Sequence, residues 1–418
     1  MATGRKHIKV FEHQSIFLNQ KFDDGVLFDQ DKLDSLIKFF DKGSPYFSLI
    51  RNGVRFNEYV GAIQVGNLLI SVLPKADKYQ QESTDEKDKW NSILVDMLRV
   101  VHGFEVKAPS NSNMKVKNNT VLDLYFEIFV SEVEALLHRG LAKKYRQTEG
   151  NLNALKGSIQ FSKQISKNSI HKERFYTRHT TYDVEHLLHI ILYRTLLLLK
   201  RINTNTALIG RINALTLNFP EMPDRKVTQA DFDKIVLNRK TQDYQKALEI
   251  ARLILLHYHP DLSKGREDVL ALMFDMNLLW EKFVLASLKR HYGLNAKGQD
   301  SKSFWQPFQG NKRSIRPDIT VEKDGFKYVI DTKWKLVSTE PSMDDLRQMY
   351  AYHHYFKAEK VALLYPGNNP GIKGKFVPVE NTEDKEQVME CGLLFSQVQT
   401  PLKVWQETIF KMINTWAN

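Results

Sequence analysis

The chain has a single cysteine, Cys391, among 418 residues, so no disulfide can close within it. Its first twenty residues lack an apolar run of the signal-peptide kind. Together these absences lead us to expect a reducing compartment, the cytoplasm. The most apolar stretch, residues 186–199 (HLLHIILYRTLLLL), is interrupted by two histidines and an arginine. It falls short of the ~20 apolar residues that a bilayer-spanning helix needs, so no membrane segment is expected. No G-x-x-x-x-G-K-[ST] phosphate-binding loop occurs, hence no nucleotide site is expected on this chain. Internal repeats and low-complexity tracts are also missing, which leaves no place for solenoid or disordered classes.

What is present is a basic, well-mixed composition. Lys and Arg number 60 against 49 Asp and Glu, a net charge of +11, with 42% hydrophobic and 26% charged residues. Such a chain can bury a core, and at roughly 150 residues per domain it has room for two or three domains. The positive excess favours a polyanionic partner, since neutralised phosphates release counterions. Charge alone leaves nucleic acid and a merely soluble basic surface both open.

Residues 54–73 are rich in β-branched and aromatic residues and are punctuated by Gly61 and Gly66-Asn67, which predicts a hairpin or meander. Residues 75–89 are polar and read as a loop or the approach to a helix near Trp90. From there apolar residues recur at helical spacing: Ile93, Leu94, Met97, Leu98 and Val101, then Leu124, Ile128, Val133, Leu136 and Leu137. Residues 107–119 form a basic connector. Further helices are predicted over 184–200 and 244–256, with Pro220 and Pro223 between them, and residues 257–265 mark a boundary. The last third predicts a helix over 274–291, strands at 314–321 and 326–334, a helix over 343–356 and a strand at 361–365. We therefore expect an α+β multidomain chain with a β-rich region (1–89), a mainly helical middle (90–257) and a carboxy-terminal α/β domain on a mixed sheet (258–418).

The sharpest chemical signal is the segment SIRPDITVEKDGFKYVIDTKWK. Asp324-Gly325 is a favoured two-residue hairpin turn, and it fixes a register in which Asp318 pairs with Asp331. Period-two alternation then places Asp318, Asp331 and Lys333 on one patch. Like charges directly opposed across two strands destabilise them, so this pair calls for a cation. Hard oxygen ligands suit Mg²⁺, which implies phosphodiester hydrolysis. A solvated hairpin carrying an Asp-Lys ion pair would show the same residue types, but the apolar residues around the acids argue for a covered site.

Pro317-Asp318, thirteen residues and Asp331-Thr332-Lys333 resemble the PD-(D/E)xK nuclease motif. Upstream, Phe274-Asp275-Met276-Asn277-Leu278-Leu279-Trp280-Glu281-Lys282 resembles a helix signature of the McrC subunits of McrBC-type restriction systems. Gln348 to Tyr352 resembles the Q-x-x-x-Y helix of the same nucleases. Weaker landmarks follow in the family's order: Tyr59 to Gln64, Leu73-Pro74-Lys75, Arg139-Gly140-Leu141, Tyr145, Leu155-Lys156-Gly157, Leu237-Asn238-Arg239 and Tyr244. The resemblance implies a restriction-endonuclease-like domain that uses Mg²⁺, with Mn²⁺ able to replace it. Asp318, Asp331 and the Thr332 carbonyl are the implied ligands and Lys333 the water-activating residue. Gln348 would face the site, and Glu281 is either an additional acid of the site or an ordinary helix-surface glutamate.

It further implies a modified-cytosine DNA substrate, cut by water to leave 5′-phosphate and 3′-hydroxyl ends. The partner would be a McrB-like AAA+ GTPase hexamer, docked on the middle region and stimulated by this chain. Lys312 and Arg313, beside the catalytic hairpin, are the candidate DNA contacts, whereas Lys143-Lys144-Tyr145-Arg146 reads as a solvated face. His257 and His259 read as connector residues rather than zinc ligands. The competing readings are a catalytically inert DNA clamp or assembly platform, and a self-sufficient nuclease.

Overall fold

The alternating residues of 54–73 form three strands, Gly53–Phe56, Tyr59–Val65 and Leu68–Leu73. In this computed structural model, which describes residues 6–22, 25–75, 83–102, 120–259, 268–291, 294–335, 340–377 and 389–418, the last two strands close a hairpin at Gly66-Asn67. Gly53–Phe56 pairs instead with Ser15–Phe17 and Phe47–Ile50 in a small antiparallel sheet. Lys6–Phe11 lies parallel to Leu68–Leu73, and Val269–Asp275, from far along the chain, runs antiparallel to Tyr59–Val65. Gly61 makes the second pairing possible. It takes φ +143°, and a Cβ there would sit 2.1 Å from the Leu272 carbonyl oxygen.

Every residue of Leu68–Leu73 is buried. Helix Gln30–Asp41 contributes Leu33, Leu36 and Phe39 to the core that holds Ile63, Ile70 and Val72. Helix Thr84–Val101 also packs on this sheet. It begins earlier than the Trp90 expected, because the Ser83 side chain caps it by accepting from Glu86 N.

The carboxy-terminal region builds a second sheet, ordered Asn295–Gly298, Ile319–Lys323, Phe326–Thr332, Lys360–Pro366, Glu390–Ser396, Ile372–Lys375. It is mixed: Phe326–Thr332 is antiparallel to Ile319–Lys323 and parallel to Lys360–Pro366. Helix Met343–Phe356 makes the crossover between the parallel strands and lays Met349, Tyr352 and Phe356 on Val329, Val361 and Leu363. Helices Met276–Lys289 and Leu402–Trp416 pack together through Trp280 and Trp405, stacked at 5.3 Å. The single strand expected over 314–321 is broken at Arg316-Pro317, where proline has no amide hydrogen to give a ladder. Arg313–Ile315 pairs with Lys302–Trp305 in a separate ribbon, and only Ile319–Lys323 enters the main sheet.

The structure groups these residues differently from three consecutive regions. Met1–Val121 and Pro260–Asn418 form one unit, because Val269–Asp275 belongs to the amino-terminal sheet, and Leu122–His259 forms the other. The second unit contains the expected helices, Val121–Arg139, Leu187–Ile202 and Gln245–Leu256, with Thr206–Asn218 added. It also contains an antiparallel sheet of Lys144–Leu152, Phe175–Asp183 and Ser158–Ile159, which the mainly helical reading missed. These strands (KYRQTEGNL and FYTRHTTYD) are polar on both faces, so no apolar alternation announces them. The connector at 107–119 and most of that at 257–265 lie outside the described residues.

Candidate active site

Asp324 and Gly325 both take positive φ, +51° and +84°, as a two-residue hairpin turn of the I′ kind requires. The ladder that follows pairs Lys323 with Phe326 and ends at Ile319 opposite Ile330, so the next opposed pair is Asp318 and Asp331. Asp318 is anchored at this point: its Oδ2 accepts from Thr332 N at 2.7 Å and from Thr332 Oγ1 at 2.8 Å. Asp331 is 1% exposed. Burial and then the charge of Asp318 push its carboxyl up to about 7, against the opposing pull of Lys333.

Lys333 Nζ stands 2.6 Å from Asp331 Oδ2 and 3.9 Å from Asp345 Oδ1. Burial disfavours its charge, but Asp331, Asp345 and Asp318 outweigh that and raise its pKa, so it remains an ammonium. Gln348 bridges the pair, accepting from Lys333 Nζ at 3.3 Å and donating to Asp331 Oδ1 at 3.4 Å. Gln348 Nε2 also donates to the Tyr352 hydroxyl at 2.8 Å, which donates to the Arg316 carbonyl at 2.8 Å. One turn of helix thus ties the lysine to the segment that leads into Asp318.

Glu281 is 8% exposed and accepts from Gln299 Nε2 at 3.1 Å, so it is not a surface glutamate. Burial, followed by the charge of Asp318, raises its pKa. The Asp275 side chain caps its helix by accepting from Leu278 N. Lys312 and Arg313 are exposed on the ribbon next to Pro317-Asp318. Arg146 is engaged within its own sheet, with Asp183 at 3.1 Å and Glu185 at 2.8 Å.

A divalent cation suits the donor set. Asp331 Oδ2 is buried against the Lys333 ammonium and feels the charge of a second carboxylate, Asp318, and hard oxygens of this type favour Mg²⁺. Among the described residues no group of three or more His, Cys, Asp or Glu side chains has metal-holding geometry. A cation would therefore rely on two carboxylates, backbone oxygen and water, as Mg²⁺ commonly does.

Three site neighbours were given no role in the sequence reading. Asp345, one turn before Gln348, binds Lys335 and lies near Lys333. Asn277 Oδ1 accepts from Trp334 N at 3.1 Å, and Glu12 Oε1 accepts from Trp334 Nε1 at 2.9 Å and Lys75 N at 2.7 Å. The i−3 spacing from Gln348 could have revealed Asp345. Glu12 gave no sequence signal.

The family model described as McrBC 5-methylcytosine restriction system component matches residues 54–366. The chain belongs to the McrBC family. The matched span holds the hairpin, the Glu281 helix and the Gln348 helix. A chain of the refined half-complex from a tetradecameric assembly of Thermococcus gammatolerans McrB AAA+ hexamers with bound McrC shares the fold, at TM-score 0.65 and 19% identity, covering 98% of this chain and 100% of that one. A chain of the McrBC complex from the same organism, seen by cryo-EM, matches at TM-score 0.47 and 18% identity over 68% of this chain and 88% of that one. No curated protein matches. The family resemblance read from the sequence is borne out. Some landmarks of that resemblance serve structure: Tyr244 OH accepts from Ala142 N at 2.9 Å and donates to His189 Nε2 at 2.9 Å, in a buried network beside Gly140. Among the described residues no helix is long and apolar enough to cross a membrane.

Proposed function

We propose that this McrBC-family chain is the McrC-type nuclease subunit, a DNA phosphodiester hydrolase that works with a McrB-like AAA+ GTPase. The observation that carries the reading is the buried Asp331 opposite Asp318, with the Lys333 ammonium 2.6 Å from Asp331. Asp318, Asp331 and the Thr332 carbonyl would hold Mg²⁺, which when bound polarises the scissile phosphate and neutralises its charge. Lys333 stabilises charge growing on the phosphate and orients the attacking water. Gln348 holds Lys333 and Asp331 at a fixed separation, and Glu281, whose pKa is raised by burial and then by the charge of Asp318, is poised to contact water at the site edge. Restriction-endonuclease-like architecture fits the mixed sheet with its acids at adjoining strand ends. McrB in the Thermococcus assembly is a hexamer with bound McrC, which supports an equivalent partner here. Because this chain carries no phosphate-binding loop, nucleotide hydrolysis falls to the partner.

The test is cleavage of modified plasmid by the chain with its co-expressed partner, in Mg²⁺ and in EDTA. We expect Mg²⁺-dependent cutting, lost by at least about 100-fold in Lys333→Ala, the scale of one electrostatic catalytic group. Undiminished cutting by Lys333→Ala would refute the assignment.

A further inference from the structure

Between Asp300 and Asp318 the chain has no acidic residue but carries Lys302, Lys312, Arg313 and Arg316. This is the segment that forms the two-stranded ribbon, Lys302–Trp305 against Arg313–Ile315, with a bulge that places Trp305 opposite Arg313. Its base is fixed to the Gln348 helix: Lys302 Nζ donates to the Tyr355 carbonyl at 2.7 Å, and the Phe304 ring lies 5.1 Å from Tyr355. Among the described residues its outer part has no such contact, and it carries Trp305, 57% exposed, and Phe308, fully exposed. A cleft of about 530 Å³, lined by Ser301, Ser314, Ile315, Arg316, Gln348 and Tyr352, runs between the ribbon base and Gln348.

Two large aromatics in water, on an arm with only positive charge and continuous with the cleft, fit one occupant. A polyanion answers the charge, and aromatic faces answer bases. Paired bases keep their faces covered in the duplex stack, so the rings can be satisfied only by bases that are unpaired or splayed. We propose that the Lys302–Ile315 ribbon is a strand-engaging arm: Trp305 and Phe308 stack on unpaired bases beside the scissile phosphate, while Lys312 and Arg313 grip the flanking phosphates. This rests on the nuclease reading for its substrate and adds a preference for opened DNA at the cut.

The test uses the full-length chain in EDTA, so that binding is read without cleavage. Fluorescence anisotropy compares a labelled single strand of about 20 nucleotides, longer than a typical single-strand site, with the same sequence as a duplex. For Trp305→Ala/Phe308→Ala we expect single-strand affinity to fall roughly 10- to 100-fold, with duplex affinity and the salt slope nearly unchanged. For Lys312→Ala/Arg313→Ala we expect both DNAs to bind less tightly and the single-strand slope of log K on log[salt] to shrink by about 1.4, two phosphates' worth. Circular dichroism checks that these surface variants stay folded. An aromatic variant that binds both DNAs like wild type, or loses both equally, overturns the arm, as does a wild type that does not bind single strands; intact DNA binding would instead mark the rings as a protein contact. A wild type that cuts in Mg²⁺ without the single-strand contrast refutes the arm alone. The contrast in a chain that cuts no plasmid in Mg²⁺ even with its co-expressed partner supports the arm and refutes the nuclease reading.

Discussion

Asp318 and Asp331 would repel one another across the hairpin if both were charged and alone, and the structure shows the compensations already present. Thr332 supplies two hydrogen bonds to Asp318, and Lys333 supplies a cation to Asp331. Gln348→Ala removes the bridge between Lys333 and Asp331 without touching either charge. We expect cleavage to fall about tenfold, the scale of one or two hydrogen bonds to charged groups, with GTP hydrolysis by the partner unchanged; turnover assays of both activities check this. Glu12 makes a pH-dependent prediction. Burial pushes its carboxyl up to about 7 from 4.5, so between those values the folded chain binds more protons than the unfolded one. Its contribution to stability is present below pH 4.5 and lost as pH rises through 7. Glu12→Gln keeps an acceptor for Trp334 and Lys75 but cannot ionise. We expect it to match wild type at pH 4 and to melt higher at pH 8, by about 1–2 °C for each kcal/mol relieved in a chain of this size; equal melting temperatures at pH 8 would contradict this. The juxtaposition of Asp318, Asp331 and Lys333 was legible in the sequence because one hairpin turn and period-two alternation place all three residues. Glu12 was not, because its bond to Trp334 joins residues 322 apart in sequence and no local pattern encodes that.

At the scale of elements, strongly patterned segments were legible and polar or interrupted ones were not. Helix Met343–Phe356 and the hairpin register emerged as read, since each has an apolar period and a turn or cap signal. The sheet of Lys144–Leu152 and Phe175–Asp183 stayed hidden behind its polar faces, and the Lys302–Ile315 ribbon behind its lack of a core-facing side. Two glycines separate the structural roles cleanly. Gly61→Ala would drive a Cβ into the Leu272 carbonyl at a φ of +143°, and we expect a loss of about 3 kcal/mol or more through a broken strand pairing. Gly210→Ala, exposed within helix Thr206–Asn218 with nothing within 4 Å of the added carbon, should gain about 1 kcal/mol from helix propensity. Denaturant melts of the two variants check the opposite signs.

Over the whole molecule, the amino-terminal sheet and the sheet that carries Asp331 are parts of one unit, stitched by Val269–Asp275 and by Glu12 on Trp334. A fragment of residues 258–418 would leave the seven-residue strand Val269–Asp275 unpaired on one side and Trp334 without its acceptor. We expect it to be insoluble or inactive when expressed alone, and a soluble, cooperatively melting fragment would contradict that unity. The proposed nuclease chemistry is separable from the proposed stimulation of a partner if the first resides in Asp318, Asp331 and Lys333. The decisive measurement is therefore made on the complex purified with the proposed AAA+ partner, scoring modified-plasmid cleavage in Mg²⁺ and GTP hydrolysis side by side for wild type and Asp331→Asn. We expect the substitution to abolish cutting while the complex assembles and hydrolyses GTP at the wild-type rate. Equal cutting by both forms would place the nuclease elsewhere and leave this chain an assembly platform.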